Sequence, residues 1–252
     1  MSYPDFFFEK KLWKKGHKLV AGADEVGRGC FAGPVVVGCV VFPPTFKGEN
    51  LQGTRQGVKI DDSKKLTARQ REIADKWIRR NSVTWGIGEA SVPEINMLGM
   101  TRATSVAFRR AIIDANGRLK SKYKIRSIDF LLLDAFYLPF MRGFPVGRRN
   151  IKTCKNAKKG NSGHLISRSR SRQLALIDGD EKSFSIASAS IIAKVYRDKL
   201  MEKISEERNL RKYKFDRNKG YGTKEHRQAI LKYGITRFHR ERFVQTFLNK
   251  LI

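Results

Sequence analysis

Residues 18–42 read KLVAGADEVGRGCFAGPVVVGCVVF, and they are the part of the chain that says most about its fold. The run in residues 35–42 is apolar and rich in β-branched side chains, which is typical of a buried strand. A shorter mixed run, residues 18–23, leads into the adjacent acids Asp24 and Glu25. We therefore predict a strand on each side of a glycine-rich turn, with two carboxylates where the first strand ends.

Strand and helix patterns alternate along the rest of the chain. The predicted elements after residue 42 are a helix at 66–78, a strand at 82–90, a helix at 101–116 stopped by Gly117, a strand at 128–134, a helix at 185–204 and a helical tail at 211–252. Thr67 and Gln70 are spaced as a capping box for the first of these helices. Strands that alternate with helices predict an α/β core.

The net charge indicates the class of partner. Lysine and arginine number 52, and aspartate and glutamate 24, so the formal net charge is +28 at pH 7. Such a field attracts polyanions, and nucleic acid is the partner it favours. An anionic membrane surface and a growth medium that selects for high charge are the alternative explanations.

One segment carries much of this excess. Residues 135–177 contain no acid, and ten cations lie between Arg142 and Arg172. The glycines and serines among them predict a mobile basic loop. We expect this insertion to add nonspecific phosphate contacts, and a solvated loop without a role is the alternative.

The cysteines and the apolar runs indicate the compartment. Cys30, Cys39 and Cys154 form no CxxC pair, which fits reduced thiols. No run approaches the ~18 apolar residues of a membrane span. Residues 1–15 lack the apolar region and cleavage site of a signal peptide. We expect a cytoplasmic protein that does not contact membranes.

Four acids lie at the ends of predicted elements. Asp24 and Glu25 follow one strand, Asp134 ends another, and Asp180 precedes a helix. Phosphodiester hydrolysis by paired hard cations needs carboxylates that converge from different parts of the chain. Each acid also suits an ordinary turn or a helix N-cap. Spacing alone leaves the choice open, because other aspartates fit nearly as well, namely Asp61, Asp62, Asp129 and Asp178.

Asp24 and Glu25 pose a geometric difficulty. Neighbours on a regular strand point to opposite faces, so both cannot reach one site. The strand must end or twist there if both are to contribute, and Gly27 and Gly29 allow this.

Five blocks, in order along the chain, resemble the motifs of type 2 ribonucleases H. They are GADEVGRG at 22–29, DSKKL at 62–66, LLDAF at 132–136, the run from Gly179-Asp180 to Asp198, and NKGYGTKEH at 218–226. They are spread over residues 19–243. The resemblance implies a ribonuclease-H-like fold, a mixed β-sheet flanked by helices, with a C-terminal helical segment. It also implies an N-terminal extension at 1–17, a catalytic domain at 18–200, and a segment at 201–252 that closes on the substrate.

The resemblance also sorts the acids. It implies that Asp24, Glu25, Asp134 and Asp180 are the catalytic, metal-binding quartet, for Mg²⁺ or Mn²⁺, with two ions in the reacting complex. Four crowded carboxylates repel one another and raise their pKa values, so bound cations make such a cluster tolerable. Asp178 places an extra acid beside Asp180.

The same resemblance implies a substrate site. Its residues are Gly27, Arg28 and Gly29 for the ribose 2′-hydroxyl, Tyr221 for stacking on the neighbouring deoxyribose, and Ser63, Lys64 and Lys65 for phosphates. The alternatives are a tyrosine in an ordinary glycine turn and a solvated charge pair before a helix. His226 is assigned to structure or substrate proximity.

The implied activity is that of a metal-dependent endoribonuclease. Its substrates would be RNA–DNA hybrids and DNA duplexes that contain ribonucleotides, cut 5′ to the ribonucleotide to leave 3′-hydroxyl and 5′-phosphate ends. Nothing in the sequence demands more than a monomer.

Three other interpretations compete with this one. Ribonucleases HIII tend to carry a sizeable N-terminal domain and a glutamate as the fourth acid, whereas here 23 residues precede Asp24 and the fourth acid is Asp180. The HII branch is therefore preferred. A noncatalytic basic nucleic-acid-binding protein fits the charge, but four acids are a poor choice for binding phosphates without metals. A basic ribosome-associated structural protein explains the charge and nothing else.

Overall fold

The computed structural model describes residues 3–46, 58–123, 127–139 and 172–250. The predicted basic insertion at 142–172 lies outside these residues except for Arg172. In the described residues the strands are β1 (Val20–Val26), β2 (Val35–Val41), β3 (Thr84–Ala90), β4 (Phe130–Asp134) and β5 (Gln173–Leu176). The helices are α1 (Phe7–Lys14), α2 (Ala68–Asn81), α3 (Val92–Leu98), α4 (Met100–Tyr123), α5 (Gly179–Lys182), α6 (Phe184–Ser205), α7 (Phe215–Asn218), α8 (Lys224–Tyr233) and α9 (Glu241–Leu248).

The described strands form one mixed sheet in the order β3-β2-β1-β4-β5. The pairs β1–β2 and β2–β3 are antiparallel. The pairs β1–β4 and β4–β5 are parallel. The predicted mixed sheet flanked by helices is therefore confirmed.

A helix covers the middle of each face of the sheet. On one face α4 packs on β2 and β3, and side chains such as Phe108, Ile112 and Leu133 are fully buried. On the other face α6 packs on β1 and β2. A Cβ on Gly22 of β1 would lie 2.2 Å from the Ser185 main chain, so this backbone contact requires glycine. The close packing fixes α6 against the strand that carries Asp24.

The start of α2 follows a local signal in the sequence, whereas the end of α4 does not. Thr67 accepts from the Gln70 amide at 3.3 Å and its own amide donates to the Gln70 side chain at 2.8 Å, so the predicted capping box is confirmed. The prediction that Gly117 stops its helix is wrong, because α4 continues to Tyr123. A glycine inside a helix costs only about 1 kcal/mol, and the packing of α4 along β3 outweighs that cost.

The two ends of the chain pack against α6. Near the N-terminus, Glu9 of α1 is fully buried and accepts from the Ser183 hydroxyl at 2.7 Å and the Ser185 amide at 3.0 Å. The C-terminal segment forms its own apolar cluster around Tyr213 and Phe215, which includes Met201 of α6. None of the described helices combines the length and the hydropathy that a bilayer crossing requires.

Candidate active site

Three of the four predicted acids converge. One carboxylate oxygen from each of Asp24, Asp134 and Asp180 lies within 4.8 Å of the others, and we call these residues the acid cluster. Asp24 and Asp180 are each 5% exposed, and Asp134 is half-buried. This is the single group of three or more possible metal ligands in the described part of the chain.

The sheet brings two members of the acid cluster together. Strands β1 and β4 are parallel neighbours, with Ala23 opposite Leu133, so Asp24 and Asp134 occupy the next position on each strand. Ala23 and Leu133 both pack on the α4 side. Because side chains alternate along a strand, Asp24 and Asp134 point to the α6 side.

The third member of the acid cluster, Asp180, lies just before the N-terminal end of α6. Asp180 lies in the short helix α5, and the preceding Gly179 donates its amide to the Asp134 carboxylate at 2.7 Å. The N-cap of α6 is Ser183, whose hydroxyl accepts from the Ile186 amide, so Asp180 is free of that role. Asp178 points away, 65% exposed, and pairs with Lys182 at 3.7 Å.

The competing aspartates have local partners. Asp129 accepts from the Lys18 and Leu19 amides, at 2.9 and 3.2 Å. Asp62 accepts from the Lys64 amide at 3.0 Å. These are structural hydrogen bonds of turns and strand ends, and spacing in the sequence could not separate such acids from the acid cluster.

The acid cluster is electrostatically unfavourable without a cation. Burial raises the pKa of Asp24 well above its ordinary value, and the neighbouring carboxylates of Glu25 and Asp134 add to this rise. Burial also raises the pKa of Asp134, and the charge of Asp180 raises it further. The hydrogen bond from the Gly179 amide has the opposite effect, smaller than that of burial. Buried like charges of this kind are tolerated when a cation lies between them.

The donor set fits hard divalent cations. All three side chains offer carboxylate oxygens, which Mg²⁺ and Mn²⁺ prefer over sulfur or imidazole ligands. The Lys64 ammonium lies 3.3 Å from an Asp180 oxygen and partly balances the negative charge. Asp24, Asp134 and Asp180 are thus the residues that would hold the metal.

Glu25 is not among the three residues whose carboxylate oxygens converge, although its charge raises the pKa of Asp24. Strand β1 continues through Asp24 and Glu25 to Val26 in regular pairing with β2, so the two acids begin on opposite faces. The Glu25 carboxylate accepts from the Arg28 guanidinium at 2.9 Å. Its assignment as a fourth metal ligand stays a prediction.

The predicted phosphate-contacting residues lie beside the acid cluster. Ser63 is buried, and its hydroxyl is 3.0 Å from that of Ser190 on α6. Ser190 in turn lowers the pKa of Asp24, against the effect of burial. Lys65 is exposed and pairs with Glu181, which follows Asp180, at 2.7 Å.

The glycine loop, residues 27–34, follows β1 directly. Gly27 has φ +91°, and a Cβ there would lie 2.2 Å from the Arg197 guanidinium. A Cβ on Gly29 would meet nothing within 4 Å, so this side of the loop is open. Arg28 is exposed, with its guanidinium 5.9 Å from the centre of the Phe136 ring.

Tyr221 lies on a turn, residues 219–222, that pairs with the glycine loop, and we call it the tyrosine turn. The Phe31 and Ala32 amides donate to the Gly220 carbonyl at 2.8 and 3.1 Å. The Tyr221 ring is 41% exposed, and the Lys194 ammonium lies 5.8 Å from its centre. These contacts bring the predicted hydroxyl-sensing loop and the predicted stacking residue together.

Two buried arginines support this arrangement, and they were not singled out from the sequence. Arg197 of α6 and Arg240, which precedes α9, are each 0% exposed, and we call them the arginine pair. Their guanidiniums donate to main-chain carbonyls of the glycine loop. Arg197 lies within one of the quoted blocks, but Lys194, Asp198 and Lys199 beside it are also charged, so no pattern in the sequence distinguishes it.

His226 and His239 pack beneath the tyrosine turn. The Nε2 atoms of the two rings are 3.1 Å apart, and His226 Nδ1 lies 2.8 Å from the Tyr221 carbonyl oxygen. Both rings are buried, which lowers the pKa of His226, and burial together with His226 lowers that of His239 to about 4. A structural role for His226 fits this geometry.

Comparisons with known proteins show the family of this chain. The family model described as Ribonuclease HII matches residues 21–246. The ribonuclease HII of Caldanaerobacter subterraneus subsp. tengcongensis is 36% identical over 244 residues, which cover 96% of this chain and 81% of that protein.

Solved structures share the fold. The ribonuclease H2 of Pyrococcus horikoshii OT3 superposes with a TM-score of 0.56 at 22% identity, covering 92% of this chain and 97% of that one. Bst-RNase HIII in complex with Mn²⁺ gives a TM-score of 0.57 at 16% identity, covering 93% and 70%. The chain belongs to the ribonuclease HII family and is a metal-dependent ribonuclease that acts on RNA–DNA hybrids.

Proposed function

We propose that this enzyme also cuts DNA duplexes 5′ to embedded ribonucleotides, with two divalent cations in the reacting complex. The observation that carries the proposal is the position of the acid cluster, at the end of the strand that continues into the glycine loop. The acid cluster, which would act on the phosphate, and the glycine loop, which would contact the sugar, are therefore only a few residues apart along the chain.

The acid cluster supplies the reactive part of the proposed site. Mg²⁺ or Mn²⁺ bound there would activate the attacking water and stabilise the leaving oxygen. The P–O3′ bond breaks, so the upstream strand keeps a 3′-hydroxyl and the ribonucleotide keeps the 5′-phosphate. Gly179 holds Asp134 in place by a hydrogen bond, which limits the reorganisation needed when substrate binds.

In this proposal the glycine loop distinguishes ribose from deoxyribose. The 2′-hydroxyl is the group that separates a ribonucleotide from a deoxyribonucleotide, and it both donates and accepts hydrogen bonds. The open side at Gly29 lets the main chain approach a sugar closely.

Tyr221 supplies the preference for a ribo-to-deoxy junction. Its exposed ring provides an apolar face for the next deoxyribose, and the turn that carries it pairs with the glycine loop. Lys64, Lys65 and Ser63 surround the acid cluster and suit contacts with the phosphates.

The test uses three labelled duplexes of one sequence: all DNA, DNA with one ribonucleotide, and an RNA–DNA hybrid. Each is incubated with Mg²⁺ or Mn²⁺, and products are sized and tested for 3′-hydroxyl and 5′-phosphate ends. We expect cleavage 5′ to the single ribonucleotide and within the hybrid, and none of the all-DNA duplex.

Two variants accompany the test. Asp24→Asn removes one carboxylate of the acid cluster and should abolish cleavage, which excludes a contaminating nuclease. Asp178→Asn removes an exposed carboxylate of the same loop and should leave it unchanged. Cleavage of the hybrid alone would overturn the proposal while leaving the family activity intact, and binding without cleavage under either metal would favour a noncatalytic protein.

A further inference from the structure

The glycine loop surrounds two buried positive charges that no carboxylate balances. Arg197 and Arg240 are 0% exposed, and neither lies within 4 Å of an acidic oxygen in the described residues. Burial lowers the pKa of Arg240 to about 10, so its guanidinium stays charged at neutral pH. A buried charge of this kind is costly unless dipoles surround it, so its hydrogen bonds need an explanation.

All of the partners are main-chain carbonyls. Arg240 donates to Gly33 at 2.9 Å, to Arg28 at 2.9 Å and to Cys30 at 3.0 Å. The other member of the pair, Arg197, completes the set, and its acceptors are the carbonyls of Pro34 at 3.0 Å, Ala32 at 3.1 Å and Lys219 at 2.8 Å. Six carbonyl oxygens therefore face the two guanidiniums, five of them from the glycine loop.

Because these main-chain carbonyls face the arginine pair, the orientation of the amides that follow them is also fixed. In a planar trans peptide the C=O of one residue and the N–H of the next are antiparallel. The Arg28 carbonyl faces Arg240, so the Gly29 N–H points away from the guanidinium. The same rule holds further along, where the Cys30 and Ala32 carbonyls face the arginine pair and the next amides, Phe31 and Gly33, donate to Gly220 and Phe238.

The Gly29 amide differs from those two. It donates to no acceptor within residues 3–46, 58–123, 127–139 and 172–250. The space next to Gly29 is open, since a Cβ there would meet nothing within 4 Å. A fixed donor without a partner among the described residues, next to open space and five residues after Asp24, is a preorganised contact for a substrate oxygen.

We propose that Arg240, assisted by Arg197, is a positioning residue for sugar discrimination, because it orients the Arg28–Gly29 peptide so that the Gly29 N–H faces the ribose 2′-oxygen. Arg197 acts at the far side, where its bonds to Ala32 and Lys219 join the glycine loop to the tyrosine turn. This inference rests on the proposed function, since it explains how the enzyme would distinguish ribose from deoxyribose.

The main test measures a ratio of affinities. In an Asp24→Asn background, which prevents cleavage, dissociation constants are measured for the duplex with one ribonucleotide and for the same duplex in all-DNA form. Arg240→Lys keeps the charge but loses the planar fork that reaches several carbonyls. We expect the preference for the ribonucleotide duplex to fall about tenfold, the scale of one lost hydrogen bond.

A matched control separates positioning from general destabilisation. Arg110→Lys removes a similar fork on α4, where the guanidinium donates to the Glu89 carbonyl and the Glu94 carboxylate. It should leave the affinity ratio unchanged. Mn²⁺ affinity, measured by titration calorimetry in variants that keep Asp24, should be the same for Arg240→Lys and the unmodified enzyme.

The outcomes are distinguishable. If the unmodified enzyme does not cut 5′ to a single ribonucleotide, the proposed function fails and the inference with it. If it does cut there and the Asp24→Asn protein still binds both duplexes equally, the inference alone is overturned. If it prefers the ribonucleotide duplex and Arg240→Lys keeps that preference, the inference alone is overturned.

A second measurement needs no arginine variant. In the unmodified protein labelled with ¹⁵N, the Gly29 amide should exchange rapidly with solvent and become protected by the ribonucleotide duplex but not by all-DNA. The Arg240 Nε–H should be protected throughout, because it donates to Gly33. A Gly29 amide that is already protected in the free protein contradicts the inference, even if Arg240→Lys fails to fold.

Discussion

The acid cluster and the arginine pair are both sites of buried charge, and they are compensated differently. The three carboxylates of Asp24, Asp134 and Asp180 lie within 4.8 Å of one another, with a lysine as a partial counterion. The two guanidiniums have six carbonyl acceptors among them and a single nitrogen, Arg240 Nη2, without a partner in the described residues.

This difference separates two tasks. The carboxylates of the acid cluster repel one another, and a bound cation would relieve this repulsion. The repulsion therefore favours metal binding. In the arginine pair all guanidinium nitrogens but Arg240 Nη2 are hydrogen-bonded to main-chain carbonyls, so the pair contributes rigidity to the glycine loop instead. Changes to the two sites should therefore alter different measurable quantities.

The largest expected effect concerns the acid cluster. Asp134→Asn keeps the hydrogen bond from Gly179 but removes a charge, and it should lower kcat/KM on an RNA–DNA hybrid by roughly 10³-fold, since metal stabilisation of the transition state is worth several kcal/mol. Without metal the variant should melt at a higher temperature than the unmodified enzyme, because like-charge repulsion is relieved.

Its control is Asp178→Asn. Asp178 has φ 55°, which asparagine tolerates, and its carboxylate is exposed. Kinetics on the hybrid and thermal unfolding with and without Mn²⁺ compare the three proteins. Full activity in Asp134→Asn would remove this residue from the metal site.

The next effect concerns the glycine loop. Gly27→Ala places a Cβ 2.2 Å from the Arg197 guanidinium at φ +91°, and it should lower the free energy of unfolding by about 3 kcal/mol, from backbone strain and overpacking. Gly29→Ala meets open space and should change it by about 0.5 kcal/mol or less. Urea unfolding measures both, and equal costs for the two changes would show that the arginine pair does not constrain the loop.

The third prediction concerns the support of the tyrosine turn and depends on pH. The pKa of His239 is lowered to about 4 in the folded protein, against about 6.5 when unfolded. Between these values the unfolded chain binds the extra proton, so folding stability is present above pH 6.5 and is lost as the pH falls towards 4. The loss should reach at most about 3 kcal/mol.

This pH dependence is isolated by a variant. Carboxylates with raised pKa values act in the opposite direction, so the quantity to compare is the difference between the unmodified protein and His239→Gln across pH 4–7. The stability of the unmodified protein should fall more steeply with acid. Parallel pH profiles would show that His239 is solvated.

The smallest expected effect concerns Lys64, which contacts the acid cluster and is proposed to contact a substrate phosphate. Lys64→Met should weaken duplex binding about tenfold and reduce the slope of log affinity against log salt by about 0.9, the value for one phosphate contact. Lys199→Met, whose ammonium lies 3.6 Å from Glu72, is the matched surface control. A salt slope unchanged by Lys64→Met would assign this lysine to the acid cluster alone.

Much of the fold was predictable because its signals are local. The β-branched run at 35–42 forms β2, and the capping box at Thr67 begins α2. Where local and tertiary preferences conflict, the prediction failed, as at Gly117 inside α4. The helix at Phe7–Lys14 was not predicted, because its polar Glu9 is buried only through bonds to residues that lie far along the chain.

The sequence by itself determined the α/β class, the basic charge and, through the five motif blocks, the family and its candidate acids. Only the tertiary structure decided which carboxylates meet, because the parallel pairing of β1 with β4 places Asp24 beside Asp134 and directs both towards α6. It also showed that Glu25 begins on the other face of β1 and that two arginines lie beneath the glycine loop. Contacts between residues more than a hundred positions apart, such as Arg240 with Arg28, leave no periodic pattern in a single sequence.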